Sequence, residues 1–130
     1  NPLLMNLHTI DHIKTRLEFM QGYLESHYDS DDGHILSNRL QELGAYMAES
    51  GKLKADMEFH YNEALNKELM QMIKGLLPEY SSASVQNKFM KSLAREENRI
   101  LLIADRINRS CTHQIELMRT QLSFIKSLPK

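Results

Sequence analysis

The chain has 130 residues with a formal net charge of −1, 42% hydrophobic content, five Gly, three Pro, one Cys and no Trp. That length fits one domain able to bury a core, and straight side chains with few helix breakers favour helix over sheet. No apolar run approaches the roughly 18–20 residues of a membrane span, and a lone cysteine rules out an internal disulfide while suiting a reducing cytoplasm.

The first expected helix covers residues 3–28. Ile10, Ile13, Leu17, Met20 and Leu24 alternate spacings of three and four, a coiled-coil-like stripe. Before it, "NPLLMNLHTI" lacks the basic region of a signal peptide. His8 and His12 share a face with Asp11 near, but a zinc-hydrolase motif needs a Glu and a third ligand that are missing. They read as surface histidines. "DSDDG" (Asp29 to Gly33) ends the segment with turn formers, and Asp32 is placed to cap the next helix. As a calcium loop it fails, because its Gly falls one place early and Leu40 stands where the closing Glu belongs.

The second expected helix covers residues 35–77. Leu36, Leu40, Leu43, Met47, Tyr61, Leu65, Leu69, Met72 and Leu76 fall on one side. Gly51 interrupts the segment, yet the same phase resumes after it, which predicts one long helix with a weak point there. "LPEYSS" (Leu77 to Ser82) then breaks the chain at Pro78.

The third expected helix covers residues 84–128. Phe89, Ile100, Cys111 and Leu122 repeat every 11 residues, implying a nearly straight pairing. Two long helices joined by a short turn predict an antiparallel hairpin. Partner numbers sum to about 160, placing Met47 near His113 and Leu65 near Arg95. Lys54 and Glu58 are expected to meet Arg106 and Ile103 as a polar layer in this seam. The fold class is therefore all-α: an elongated hairpin with an additional N-terminal helix beside it or against another copy.

Candidate chemistry is sparse. Cys111 and His113 lie two apart, so their side chains diverge by about 200° and cannot converge as a nucleophile and base or as metal ligands. Cys111 reads as a small core residue. No phosphate loop, G-x-S-x-G or C-x-x-C occurs. The expectation is a protein that is not an enzyme, with no catalytic or metal site, no cofactor, no small-molecule substrate and no membrane partner.

The outer faces carry more. Residues 1–83 hold 7 Lys+Arg against 13 Asp+Glu, and residues 84–130 hold 9 against 4. The simplest account is an acidic part folding back on a basic part. Lys88, Lys91, Arg95, Arg99, Arg106 and Arg109 form a basic ridge opposite the third helix's stripe. Glu42, Glu49, Asp56 and Glu63 repeat at sevens on the outer side of the second. Such ridges serve as solvated faces, as self-association surfaces, or as a contact to nucleic-acid phosphates. Beyond Arg109 the same side presents His113, Leu117, Phe124 and Leu128, an apolar second face that needs a cover.

The stretches "ESGKLKADMEFHYNEAL" (Glu49 to Leu65) and "DRINRSCTHQIELMRTQLSFIKS" (Asp105 to Ser127) resemble a group of small, uncharacterised helical proteins of phages and integrated mobile elements. The shared residues of the later block are Arg106, Asn108, Thr112, His113, Gln114, Arg119, Thr120 and Ser123. The resemblance spans about residues 49–127 and implies a non-catalytic accessory of recombination or replication, without assigning a site. The functional expectation is a self-associating helical interaction or scaffold protein in the cytoplasm, a homo-oligomer; the alternative is a nucleic-acid-binding accessory using the basic ridge.

Overall fold

A computed structural model describes residues 6–75, 83, 88 and 91–129. It contains three long helices and, among the described residues, no strand: α1 (Ile10–Glu25), α2 (Gly33–Gly75) and α3 (Arg95–Ser127). The expected turn around Pro78 lies outside the described residues.

Each helix starts where local chemistry dictates. Thr9 has extended backbone, and its hydroxyl accepts from the His12 N–H, so α1 begins at Ile10; the expected start at residue 3 lies outside the described residues. The Asp32 carboxylate accepts from the His34 and Ile35 N–H groups at 2.9 and 3.2 Å and caps α2, as its position predicts. Gly51 does not break α2, which is continuous for 43 residues, about 65 Å.

α3 departs from expectation. The chain is helical at Lys91 and Ser92, turns at Leu93 and Ala94, and restarts at Arg95. Ala94 is left-handed (φ 48°) and buried, and the Glu68 carboxylate of α2 accepts its N–H. A tertiary acceptor thus holds a conformation that alanine rarely adopts. The single helix over 84–128 is therefore corrected to α3 proper plus a separate preceding helical piece.

The hairpin register matches the sequence. Asn108 Nδ2 donates to the Met47 carbonyl and to Ser50 Oγ, both at 3.0 Å, and Thr112 Oγ1 lies 3.4 Å from the Met47 sulfur. Lys54 Nζ reaches Asp105 at 3.0 Å. The polar layer exists, but its acid is Asp105, not a partner from α2 facing Arg106. Glu58 is exposed. Arg106 points outward because it lies one residue, or about 100°, beyond Asp105.

α1 packs within the same chain, antiparallel to α2 and parallel to α3. Ile13, Leu17 and Met20 meet Leu36, Leu43, Leu53 and Met57 of α2, and Ile100, Ala104, Ile107, Cys111, Ile115 and Met118 of α3. Leu53 and Met57 are fully buried although they lie off the α2 stripe facing α3. A helix flanked by two others needs two apolar faces, and these residues supply the second.

Candidate functional site

The acidic series on α2 does not form an outer ridge. α1 covers most of it, through contacts spaced by about two helical turns. Tyr23 donates its hydroxyl to Glu42 at 2.6 Å. Arg16 makes a bidentate pair with Glu49 at 2.6 and 2.8 Å. His8 contacts Asp56 through its backbone N–H at 3.0 Å and through Nδ1 at 2.9 Å, and Lys52 joins the same carboxylate at 3.1 Å. The three contacts run in opposite order along the two helices, as antiparallel packing requires. Asp56 is buried and Glu49 half-buried, whereas Glu42 and Glu63 stay exposed.

The electrostatics follow from these pairs. Hydrogen bonding from Arg16 holds the Glu49 carboxyl below its ordinary range. At Asp56 burial pushes the carboxyl up, but bonds from the His8 backbone, Lys52 and the His8 ring together outweigh it, and the net shift is downward. Burial, then the bond to Glu42, pushes the Tyr23 phenol up.

His8 is accordingly more than a surface histidine. It is half-buried, its ring stacks on His12 with centroids 4.6 Å apart, and its carbonyl accepts from His60 Nε2 at 2.7 Å. These contacts fasten the start of α1 to α2. The other end is fastened by Arg39, which is 7% exposed. Its guanidinium lies 4.2 Å from the Tyr23 ring centroid and 4.5 Å from that of Tyr28, donating to the Tyr23 carbonyl at 2.7 Å and to Ser26 Oγ at 3.0 Å. A cation at the carbonyl end of α1 also opposes the helix dipole favourably. Nothing in the spacing of Arg39 marked it, since a lone arginine near a turn reads as solvated.

Cys111 is fully buried in the core, and burial pushes its thiol up, away from the thiolate that nucleophilic chemistry uses. His113 is exposed on the other side of α3. Among the described residues no group of three His, Cys, Asp or Glu side chains converges as a metal site.

The basic ridge is exposed at Lys88, Lys91, Arg95, Arg99, Arg106 and Arg109. The turn at Leu93 and Ala94 separates the two lysines from the arginines, so the continuous ridge on α3 runs from Arg95 to Arg109, about 21 Å. Two of its members are partly neutralised: Arg99 pairs with Glu96 at 2.9 Å and Arg109 with Asp105 at 3.0 Å.

The apolar side is uncovered. Leu117, Phe124 and Leu128 are 52%, 65% and 49% exposed. The cause is a mismatch of lengths: α1 has 16 residues against 33 in α3. Gln114 Nε2 donates to the Leu24 carbonyl at 2.9 Å, which marks the level where α1 ends. Below that level α3 keeps an apolar flank with, among the described residues, no helix beside it on the α1 side. The chain matches no protein-family model, and no curated protein or solved structure is significantly similar to it.

Proposed function

We propose that the chain is a non-catalytic helical scaffold that associates with a second copy of itself through the C-terminal half of α3. One observation carries this reading: α1 stops level with Gln114, leaving Leu117, Phe124 and Leu128 between 49% and 65% exposed on one flank. Contiguous apolar surface of this kind favours association over solvation. A second copy fits better than an unrelated partner because the flank carries few charges of either sign, whereas the adjoining half of α3 is basic. Two copies can join their apolar halves while keeping the arginines apart.

Measurement of mass in solution over a concentration series tests the reading. A dimer that dissociates on dilution is the expected result, and a monomer throughout contradicts it. The resemblance to helical proteins of phages and mobile elements supports an accessory setting, and a single cysteine kept as a buried thiol supports a cytoplasmic one.

A second reading, a nucleic-acid accessory, is favoured by Arg95 and Arg106, which carry no ion pair among the described residues. Contact with phosphates there produces binding that weakens steeply with salt. Salt-insensitive binding, or none to single- or double-stranded DNA and RNA, removes that reading.

A further inference from the structure

We infer that the second copy binds in parallel, about a twofold axis running along the bundle, with α1 of each copy lying over α3 of the other. This rests on the self-association proposed above and extends the interface beyond the apolar flank, onto the groove between α1 and α3.

That groove has a volume of about 450 Å³ and an apolar floor of Leu17, Ile100, Ile103 and Ile107. Its low wall at Gly22 is open, since a Cβ there meets nothing within 4 Å. The two sides differ in charge. On α1 the exposed residues Asp11, Glu18 and Glu25 repeat at sevens. On α3 Arg99 and Arg106 repeat at the same interval, and His113 continues the line. Among the described residues no ion pair joins the two lines, and Arg99 is paired only with Glu96 of its own helix. Lys14 is the one cation on the α1 side of the groove.

A small anion in this groove sits against Glu18 and Glu25, and a small cation sits against Arg99 and Arg106. A surface carrying an acidic line beside a basic one is complemented by the same surface turned over. Two face-to-face arrangements of parallel helices have twofold symmetry. With the axis across the helices, α1 meets α1 and α3 meets α3, so acid faces acid and arginine faces arginine. With the axis along the helices, α1 meets the partner's α3, and each acidic line faces a basic one. Like-charge juxtaposition rejects the first and complementarity selects the second.

The same axis explains the apolar flank. A rotation about the long direction keeps every residue at its own level. Arg99 and Arg106 stand 18 residues, or five full turns, ahead of Leu117 and Phe124 on the same face, but at their level the partner's α1 lies over α3 and takes the arginines. Below the end of α1 nothing of the partner's α1 intervenes, so the two α3 helices close on each other and Leu117 and Phe124 of one copy meet the same residues of the other.

Sedimentation equilibrium on the full chain tests this, using the unaltered protein, Glu18→Arg/Glu25→Arg and Arg99→Glu/Arg106→Glu. All four positions are exposed, and circular dichroism checks that each variant keeps its helices. The parallel arrangement predicts a dimer for the unaltered chain, a loss of about tenfold or more in affinity for each variant alone, and recovery in their equimolar mixture. In the antiparallel arrangement each variant still sets like against like, so neither weakens the dimer. A dimer indifferent to both variants therefore overturns the orientation while self-association stands, and a monomeric unaltered chain overturns both. Independently, Leu117→Cys and Phe124→Cys each yield a disulfide-linked dimer on oxidation when the axis is parallel. Linkage at only one position, or at neither, overturns it.

Discussion

Phe124→Ser is the most informative single change. The ring is 65% exposed in the isolated chain. Fully burying a large apolar side chain is worth about 1.5–3 kcal/mol, so covering two-thirds of the ring in each of two copies contributes about 2–4 kcal/mol per dimer. Serine forfeits nearly all of it, which corresponds to a rise of roughly 30- to 1,000-fold in the dimer dissociation constant. The difference between variants is the safe quantity, because the cost of association cancels between them. Serine at an exposed helical site changes the monomer by only about 0.5 kcal/mol. Sedimentation equilibrium reads the dissociation constant, and thermal unfolding at several concentrations reads the linked effect, since association raises Tm with concentration. An unchanged dissociation constant in Phe124→Ser, or a Tm independent of concentration in the unaltered protein, refutes the reasoning.

Four further outcomes are expected. Gly51→Ala stabilises the chain by up to about 1 kcal/mol, because its Cβ makes only an ordinary 3.7 Å contact with Asn108 Nδ2; urea unfolding measures it, and a loss of stability shows that the contact is tighter. Ala94→Val costs about 2–3 kcal/mol from overpacking and left-handed strain, whereas Ala94→Gly is nearly neutral, relief of strain offsetting a lost buried methyl; equal effects of the two in thermal unfolding argue against a strained position. Arg39→Ala loosens the C-terminal end of α1 by about 2–3 kcal/mol, through lost charged hydrogen bonds and ring contacts, and faster hydrogen exchange confined at first to α1 reports it. Glu49 and Asp56 have folded-state pKa values below their unfolded ones, so their contribution is complete above the ordinary carboxylate range and fades as pH falls through the folded values. Glu49→Gln therefore flattens the acid limb of a stability–pH profile, and an unaltered limb excludes the Arg16 pair as its source.

The hairpin register was legible because two long apolar stripes around one turn admit few alignments, and polar residues such as Asn108 and Ser50 then find each other. The outward position of His113, Leu117, Phe124 and Leu128 was equally legible, since it follows from 100° per residue along one unbroken helix. The fate of Glu42, Glu49 and Asp56 was not. Their spacing at sevens defines a face, but whether solvent or α1 covers it depends on how the chain returns after the loop at Asp29–Gly33. A clue was present in Arg16 and Tyr23, also seven apart on the opposing helix. The break at Ala94 left no local signal at all, because no Gly or Pro stands there and its acceptor, Glu68, is remote in sequence.

That break has a consequence for chain length. A helix carries angular phase from one residue to the next, so one inserted residue rotates everything beyond it by about 100°. Within α3 such an insertion turns the arginine line and the apolar flank away from their present directions. Ahead of Ala94 it does not, because the left-handed residue uncouples the phase on its two sides and the Glu68 contact sets where α3 begins. Gain or loss of a residue is therefore absorbed before Ala94 and disruptive after it, making this alanine the origin from which the outer face of α3 is measured.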